Sequence, residues 1–165
     1  MIIKTKICGI STAADYVACR DAGATFVGMV HYPGSPRHLN LKALAKLAAC
    51  SAAISSNAPD RVLLSVDISG DDILPLIEAG HPDLLQFHGN ETPDHVAAIK
   101  ARFGLPIIKS IAIETLDDLN QCANWDGLAD LLVDAQKRIT NNEKVVEPFT
   151  LLGLIDDPAV QRKAT

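Results

Sequence analysis

The strongest constraint on the fold is a repeat. Six times along the chain a short apolar run of strand type is followed by a segment with helical spacing, and the runs start roughly every 20 to 36 residues. They occupy residues 4–10, 25–30, 61–67, 81–89, 105–111 and 129–134. Runs apolar on both faces and separated by helices are expected to form a parallel sheet with right-handed crossovers. Two architectures use such a repeat, the open doubly wound sheet and the closed eight-unit barrel. No Gly-x-Gly-x-x-Gly follows the first run, which counts against the dinucleotide-binding form of the open sheet. The polar residues gather instead behind several different strands: Cys8, the segment 31–37, Gln86 with His88, and Asp134. Barrel enzymes distribute catalytic side chains in this way.

The helices carry their own start and stop signals. Ser11 and Thr12 ahead of Asp15 form a capping signature for a first helix ending at Gly23. Asn40 precedes an alanine- and leucine-rich helix, and Ser69 with Asp72 opens a third that stops at Gly80, with Pro75 tolerated in its first turn. Thr92 and Pro93 start a fourth that Gly104 stops, and Thr115 with Asp118 starts a fifth. Segment 31–37, with two prolines and a glycine, is a loop.

Size and charge narrow the partners. A chain of 165 residues with 48% hydrophobic content is expected to bury one core, giving a single domain over 1–165. The formal net charge is -5 and the basic residues are scattered, so no electrostatic footprint for nucleic acid or an anionic membrane is present and a small metabolite is the expected partner. Cys8, Cys19, Cys50 and Cys122 lie far apart, without the spacing of a zinc site or a disulfide framework. Reduced thiols fit a cytoplasmic protein. The N-terminus enters the first strand without a signal-peptide pattern, and no apolar run has bilayer-spanning length. A soluble, cytoplasmic chain is therefore expected.

Cys8 ends the first strand beside Gly9, where the backbone can turn and a ligand approach closely. A thiol there suits proton chemistry, and it equally suits a small packed hydrophobe. His31 and His88 lack a paired ligand pattern, so hydrogen-bonded loop roles are expected. The acidic pairs at 71–72 and 117–118 stand at helix N-termini, which favour carboxylates without any metal.

Taken together, five motifs resemble phosphoribosylanthranilate isomerase of tryptophan biosynthesis. They are Lys-Ile-Cys-Gly-Ile (6–10), Ser-Pro-Arg (35–37), Leu-Gln-Phe-His-Gly (85–89) with Glu91 beyond it, Ile-Ile-Lys (107–109) and Leu-Leu-Val-Asp-Ala (131–135). The resemblance implies a (βα)8 barrel that opens the ribose ring of its substrate and moves a proton in an Amadori rearrangement, without metal or organic cofactor. Carried over by position, it implies Cys8 as general base toward the ribose C2 and Asp134 as general acid toward the ring oxygen. It implies Arg37 as the partner of the anthranilate carboxylate, a role that suits a planar fork of donors. Gln86 and His88 are the further candidates for substrate binding. An acid at the ring oxygen and a base one carbon away need two groups from different sides of a barrel mouth. Asp134 would then need a raised proton affinity and Cys8 thiolate character.

The resemblance stops near Ala135. Residues 136–146 contain no glycine where the family has a glycine-rich loop that cradles phosphate. Residues 149–160 read as a degraded seventh strand and helix start, and an eighth unit is missing. Six to seven units are expected to leave the barrel incomplete, exposing strand edges through which the chain could self-associate. Three readings follow: an isomerase acting on the phosphorylated sugar-anthranilate, an inactive truncated relative serving as a ligand-binding or scaffold protein, and another sugar-phosphate barrel enzyme. The third lacks its expected metal ligands or lysine and glutamate constellation.

Overall fold

The computed structural model of the chain describes residues 3–53, 57–113 and 116–134. Strands and helices alternate: β1 (Lys6–Cys8), α1 (Ala13–Asp21), β2 (Phe26–His31), α2 (Leu41–Ala52), β3 (Asp60–Ser65), α3 (Ile73–Gly80), β4 (Leu84–Phe87), α4 (Pro93–Phe103), β5 (Ile107–Ala112), α5 (Leu116–Cys122) and β6 (Asp130–Asp134). A single turn of 3-10 helix (Ala123–Trp125) leads into the last connection. The degraded seventh strand expected at 149–160 lies outside the described residues.

All strand pairs are parallel, and the sheet order is β1-β2-β3-β4-β5-β6. Each crossover therefore moves one place in the same direction. A doubly wound sheet would reverse its order at a switch point and carry helices on both faces. Here the helices pack on one face. Their buried residues Leu44, Leu47, Ile73, Leu76, Val96 and Ile99 join Val27, Met29, Leu63, Leu85, Phe87, Ile107 and Ile111 from the strands in one core. The opposite face holds only a small cluster of Phe26, Val62, Ile108 and Leu132, with Leu84 packed against it. One covered face and one lined by alternating side chains is the arrangement of a barrel wall. Six strands build most of that wall, and among the described residues β1 and β6 are each paired on one side only.

Local signals set the helix ends. Thr12 and Asp15 make the full capping box at the start of α1, Asn40 accepts from the backbone N–H of Ala43, and Thr92 accepts from that of His95 with Pro93 behind it. Each such cap stabilises its helix by about 1 kcal/mol. Gly104 ends α4 in the left-handed conformation, as expected. The third helix, α3, ends at Gly80 as expected, and the left-handed residue that caps it is His81, with φ 42°. A Cβ at Gly80 would stand in ordinary contact, 3.4 Å from Cε of Met29 and 3.7 Å from Cδ2 of Leu44.

The first strand corrects its expectation. Residues 4–10 read as an apolar run, yet in β1 Lys6 is buried while Ile7 is 48% exposed. Strand alternation turns Lys6 and Cys8 toward the inner face, and Ile7 toward a helix-side position at the sheet edge. Polar residues likewise enter the inner face at Gln86 and Ser110, so the strands are not apolar on both faces.

Candidate active site

Three of the strand ends meet at His88. His88 follows β4, and its backbone N–H donates to the Ser65 carbonyl oxygen on β3 at 3.0 Å, extending the ladder beyond the strand. Its Nε2 lies 3.5 Å from Oδ2 of Asp134 at the end of β6 and 3.5 Å from Oγ of Ser110 on β5. Its Nδ1 lies 3.4 Å from Nε2 of Gln86. One tautomer satisfies the set: Nε2–H faces the Asp134 carboxylate, and Nδ1 accepts from the Gln86 amide. Burial holds the imidazole below its ordinary pKa, and the Asp134 charge opposes that shift while Lys109 and Lys6 reinforce it. The neutral ring is thereby favoured, as this tautomer requires. The carbonyl oxygen Oε1 of Gln86 is buried with no hydrogen-bond partner among the described residues.

The loop behind His88 is clamped from the outer side. Glu91 is buried, and its carboxylate accepts from the backbone N–H groups of Asp67 at 2.9 Å and Gly89 at 3.0 Å. Nζ of Lys109 stands 3.0 Å from Glu91 and donates to the Gly89 carbonyl oxygen at 2.6 Å. The ammonium also lies 5.7 Å from the centre of the Trp125 ring. The backbone N–H and the carbonyl oxygen of Gly89 are thus both held by one buried ion pair. The Asp67 carboxylate accepts from the backbone N–H of Asn90 at 2.6 Å, tying the β3 loop to the same turn. Beside these loops a cavity of about 550 Å³ opens, lined by His88, Asn90, Ser110, Trp125 and Asp134 among others.

Cys8 comes from the other end of the sheet. Two glycines make room for it. Gly9, at φ +84°, adopts the left-handed backbone, and the Arg37 stem lies where a Cβ would sit. This lets Nη1 of Arg37 donate to the Cys8 carbonyl oxygen at 3.0 Å. On β2, Gly28 pairs with Cys8, and a Cβ there would stand 2.8 Å from Cys8 Sγ and 3.0 Å from Lys6 Nζ. Glycine inside a strand commonly marks such a close approach, and that signal was available in the apolar run 25–30.

The candidates from sequence fall into two groups. Gln86, His88 and Asp134 are brought together by β4 and β6; Cys8 and Arg37 are joined on the β1 side. His31 is hydrogen-bonded as expected, with Nδ1 2.8 Å from the Leu39 carbonyl oxygen, but it ends β2 rather than standing in the loop. Sequence reasoning passed over Lys6, Gly28, Ser110 and the Glu91–Lys109 pair as working parts of the site. Among the described residues no three His, Cys, Asp or Glu side chains are grouped to hold a metal ion.

A family profile described as N-(5'phosphoribosyl)anthranilate (PRA) isomerase matches residues 5–143. N-(5'-phosphoribosyl)anthranilate isomerase of Rhodopseudomonas palustris BisA53 is 42% identical over 137 residues, covering 82% of this chain and 61% of that protein. The enzyme of the same name from Nitrobacter winogradskyi is 41% identical over 170 aligned residues, covering 93% of this chain and 74% of the relative. The crystal structure of phosphoribosyl anthranilate isomerase from Thermotoga maritima superposes with a TM-score of 0.74 at 23% identity, over 87% of this chain and 66% of that one. The chain spans about 62% of the length of several curated relatives that it matches. The profile covers both the Cys8 and the Asp134 strands, and with these identities it establishes that the chain belongs to the N-(5'-phosphoribosyl)anthranilate isomerase family.

Proposed function

We propose that the chain acts on N-(5'-phosphoribosyl)anthranilate and isomerises it to 1-(2-carboxyphenylamino)-1-deoxyribulose 5-phosphate. The observation that carries this reading is the inner-face pairing of Asp134 with His88, opposite a cysteine whose strand turns it to the same face. The names of the relatives support it.

The chemistry divides between the two groups. Asp134, as the acid, protonates the ring oxygen; the C1–O bond breaks with its electron pair on oxygen, and the anthranilate nitrogen lone pair forms the C1=N bond. Cys8, as thiolate, then takes the proton from C2. The C2–H pair becomes the C1=C2 bond, and the C=N pair returns to nitrogen. Loss of the C2 hydroxyl proton and protonation at C1 complete the ketone. A neutral His88, hydrogen-bonded through Nε2, orients the Asp134 carboxyl toward the substrate. One Arg37 donor is used on the Cys8 carbonyl oxygen, so the remaining guanidinium N–H groups are those offered to the anthranilate carboxylate.

Self-association through the β1 and β6 edges is part of this proposal, with Ile3 and Ile7 exposed beside β1. Light scattering after gel filtration tests it, and a strictly monomeric chain would remove it. For the activity, the test is fluorescence-monitored consumption of phosphoribosylanthranilate by the purified chain, with a Cys8→Ala control. Turnover that disappears in the control supports the isomerase reading. A folded chain without turnover would favour the scaffold reading instead.

A further inference from the structure

The inner face of β1 carries a charge that the proposed reaction does not use. Lys6 is 7% exposed, yet it makes no hydrogen bond or ion pair among the described residues. Most of the side chain is out of water while Nζ keeps some solvent contact, and an ammonium held in that way is favoured by a nearby anion. Most buried lysines in such a position are paired, as Lys109 is with Glu91. Lys6 is aimed at the same point as the Cys8 thiol: Sγ and Nζ lie 2.8 Å and 3.0 Å from the position a Cβ would take on Gly28.

We propose that Lys6 is the counter-cation of Cys8, holding the sulfur in its charged, proton-accepting form. Gly28 is the third part of the device, since only a residue without a side chain leaves the two atoms in one space. No bond forms to the ammonium. It supplies a positive charge beside the sulfur, screened less than a surface lysine's because most of the side chain is out of water. The other charged groups facing this space come from other elements. Arg37, from the loop after β2, gives one N–H to the Cys8 carbonyl oxygen and offers the others to the substrate; His88 after β4 is held neutral; the Asp134 carboxyl on β6 faces that neutral ring. Lys6 is therefore the cation left for the thiolate. As an account of catalysis the inference rests on Cys8 being the base, but the charge pairing itself is measurable without substrate.

The experiment is alkylation of the full chain by iodoacetamide between pH 6 and 9, read at each cysteine by peptide mass spectrometry, in wild type, Lys6→Met and Lys6→Arg. Cys19 and Cys122, whose thiols burial pushes up, serve as slow internal references. Cys8 is expected to react about tenfold more slowly at pH 7 in Lys6→Met, with the rate at high pH little changed, and to recover most of its reactivity in Lys6→Arg. Equal Cys8 profiles in wild type and Lys6→Met would overturn the proposal. Should the methionine variant unfold, which rapid Cys19 labelling would show, the wild-type profile decides alone. A Cys8 profile displaced to lower pH than in the urea-unfolded chain supports the pairing, and a coincident or higher one removes it. Because no turnover is read, loss of this inference and loss of isomerase activity are separate results.

Discussion

Nε2 of His88 stands 3.5 Å from Oδ2 of Asp134, joining strands that β5 keeps apart in the sheet. Neither residue is near the other in sequence, and the contact exists because the inner face of the wall is concave. It makes the imidazole a bridge between the acid on β6 and the amide of Gln86 on β4.

If Asp134 is the acid, Asp134→Asn keeps the hydrogen-bonding shape and removes the proton. Turnover of phosphoribosylanthranilate is expected to fall by about 10² to 10⁴ with KM little changed, the usual range for one acid–base group. An activity above half that of wild type would take Asp134 out of the acid role.

The depressed pKa of His88 has a stability consequence with a definite sign. The unfolded chain binds this proton more readily than the folded one, so the contribution is present above the ordinary histidine value of about 6.5 and is lost as pH falls through the lower folded value. Urea midpoints at pH 8, 6.5 and 5 should decline more steeply in wild type than in His88→Asn. Parallel declines would show that His88 is not the group responsible.

Gly28→Ala places a methyl group 2.8 Å from the Cys8 sulfur and 3.0 Å from the Lys6 ammonium. Overpacking of this kind costs about 1 to 3 kcal/mol. The expected result is a lower thermal midpoint together with altered Cys8 alkylation, while Gly23→Ala, where no atom lies within 4 Å, is strained by its φ of +74° without touching the thiol. Unaltered Cys8 labelling in Gly28→Ala would show that the sulfur has room to spare.

Lys109→Met leaves the Glu91 charge buried beside two backbone N–H groups. Removing one partner of such a pair costs about 3 to 5 kcal/mol, which is a large part of a small domain's stability. Because Glu91 also holds the N–H groups of Asp67 and Gly89, Glu91→Leu combined with Lys109→Met should remain clearly less stable than wild type. Denaturant unfolding of the two singles and the double gives the coupling between them, and a coupling near zero would show that the pair does not act as a unit.

Much of this architecture was legible before any coordinates. The six strand and helix repeats were readable because apolar periodicity and capping residues such as Thr12, Asn40 and Thr92 are local properties. Cys8, His88 and Asp134 stood out because each follows an apolar run in a recognisable motif. The end of α3 at Gly80 was legible too, although the left-handed cap that follows it falls on His81, which carries no glycine signal.

Periodicity alone states that alternate residues of a strand face opposite ways, and in this chain it placed the strands and their partners in order. Which face becomes the inner one is decided by register and by the helices covering the other side. That is why Lys6 emerged as buried and Ile7 as exposed, against their hydrophobicity. The same holds for the space at Gly28, the Glu91–Lys109 clamp and the His88–Asp134 contact: each joins residues from different units. Sequence by itself determined the repeat, its caps and the residue types at the strand ends. Only the tertiary structure decided which of them share a face and a charge environment, because those depend on through-space distances across a curved sheet.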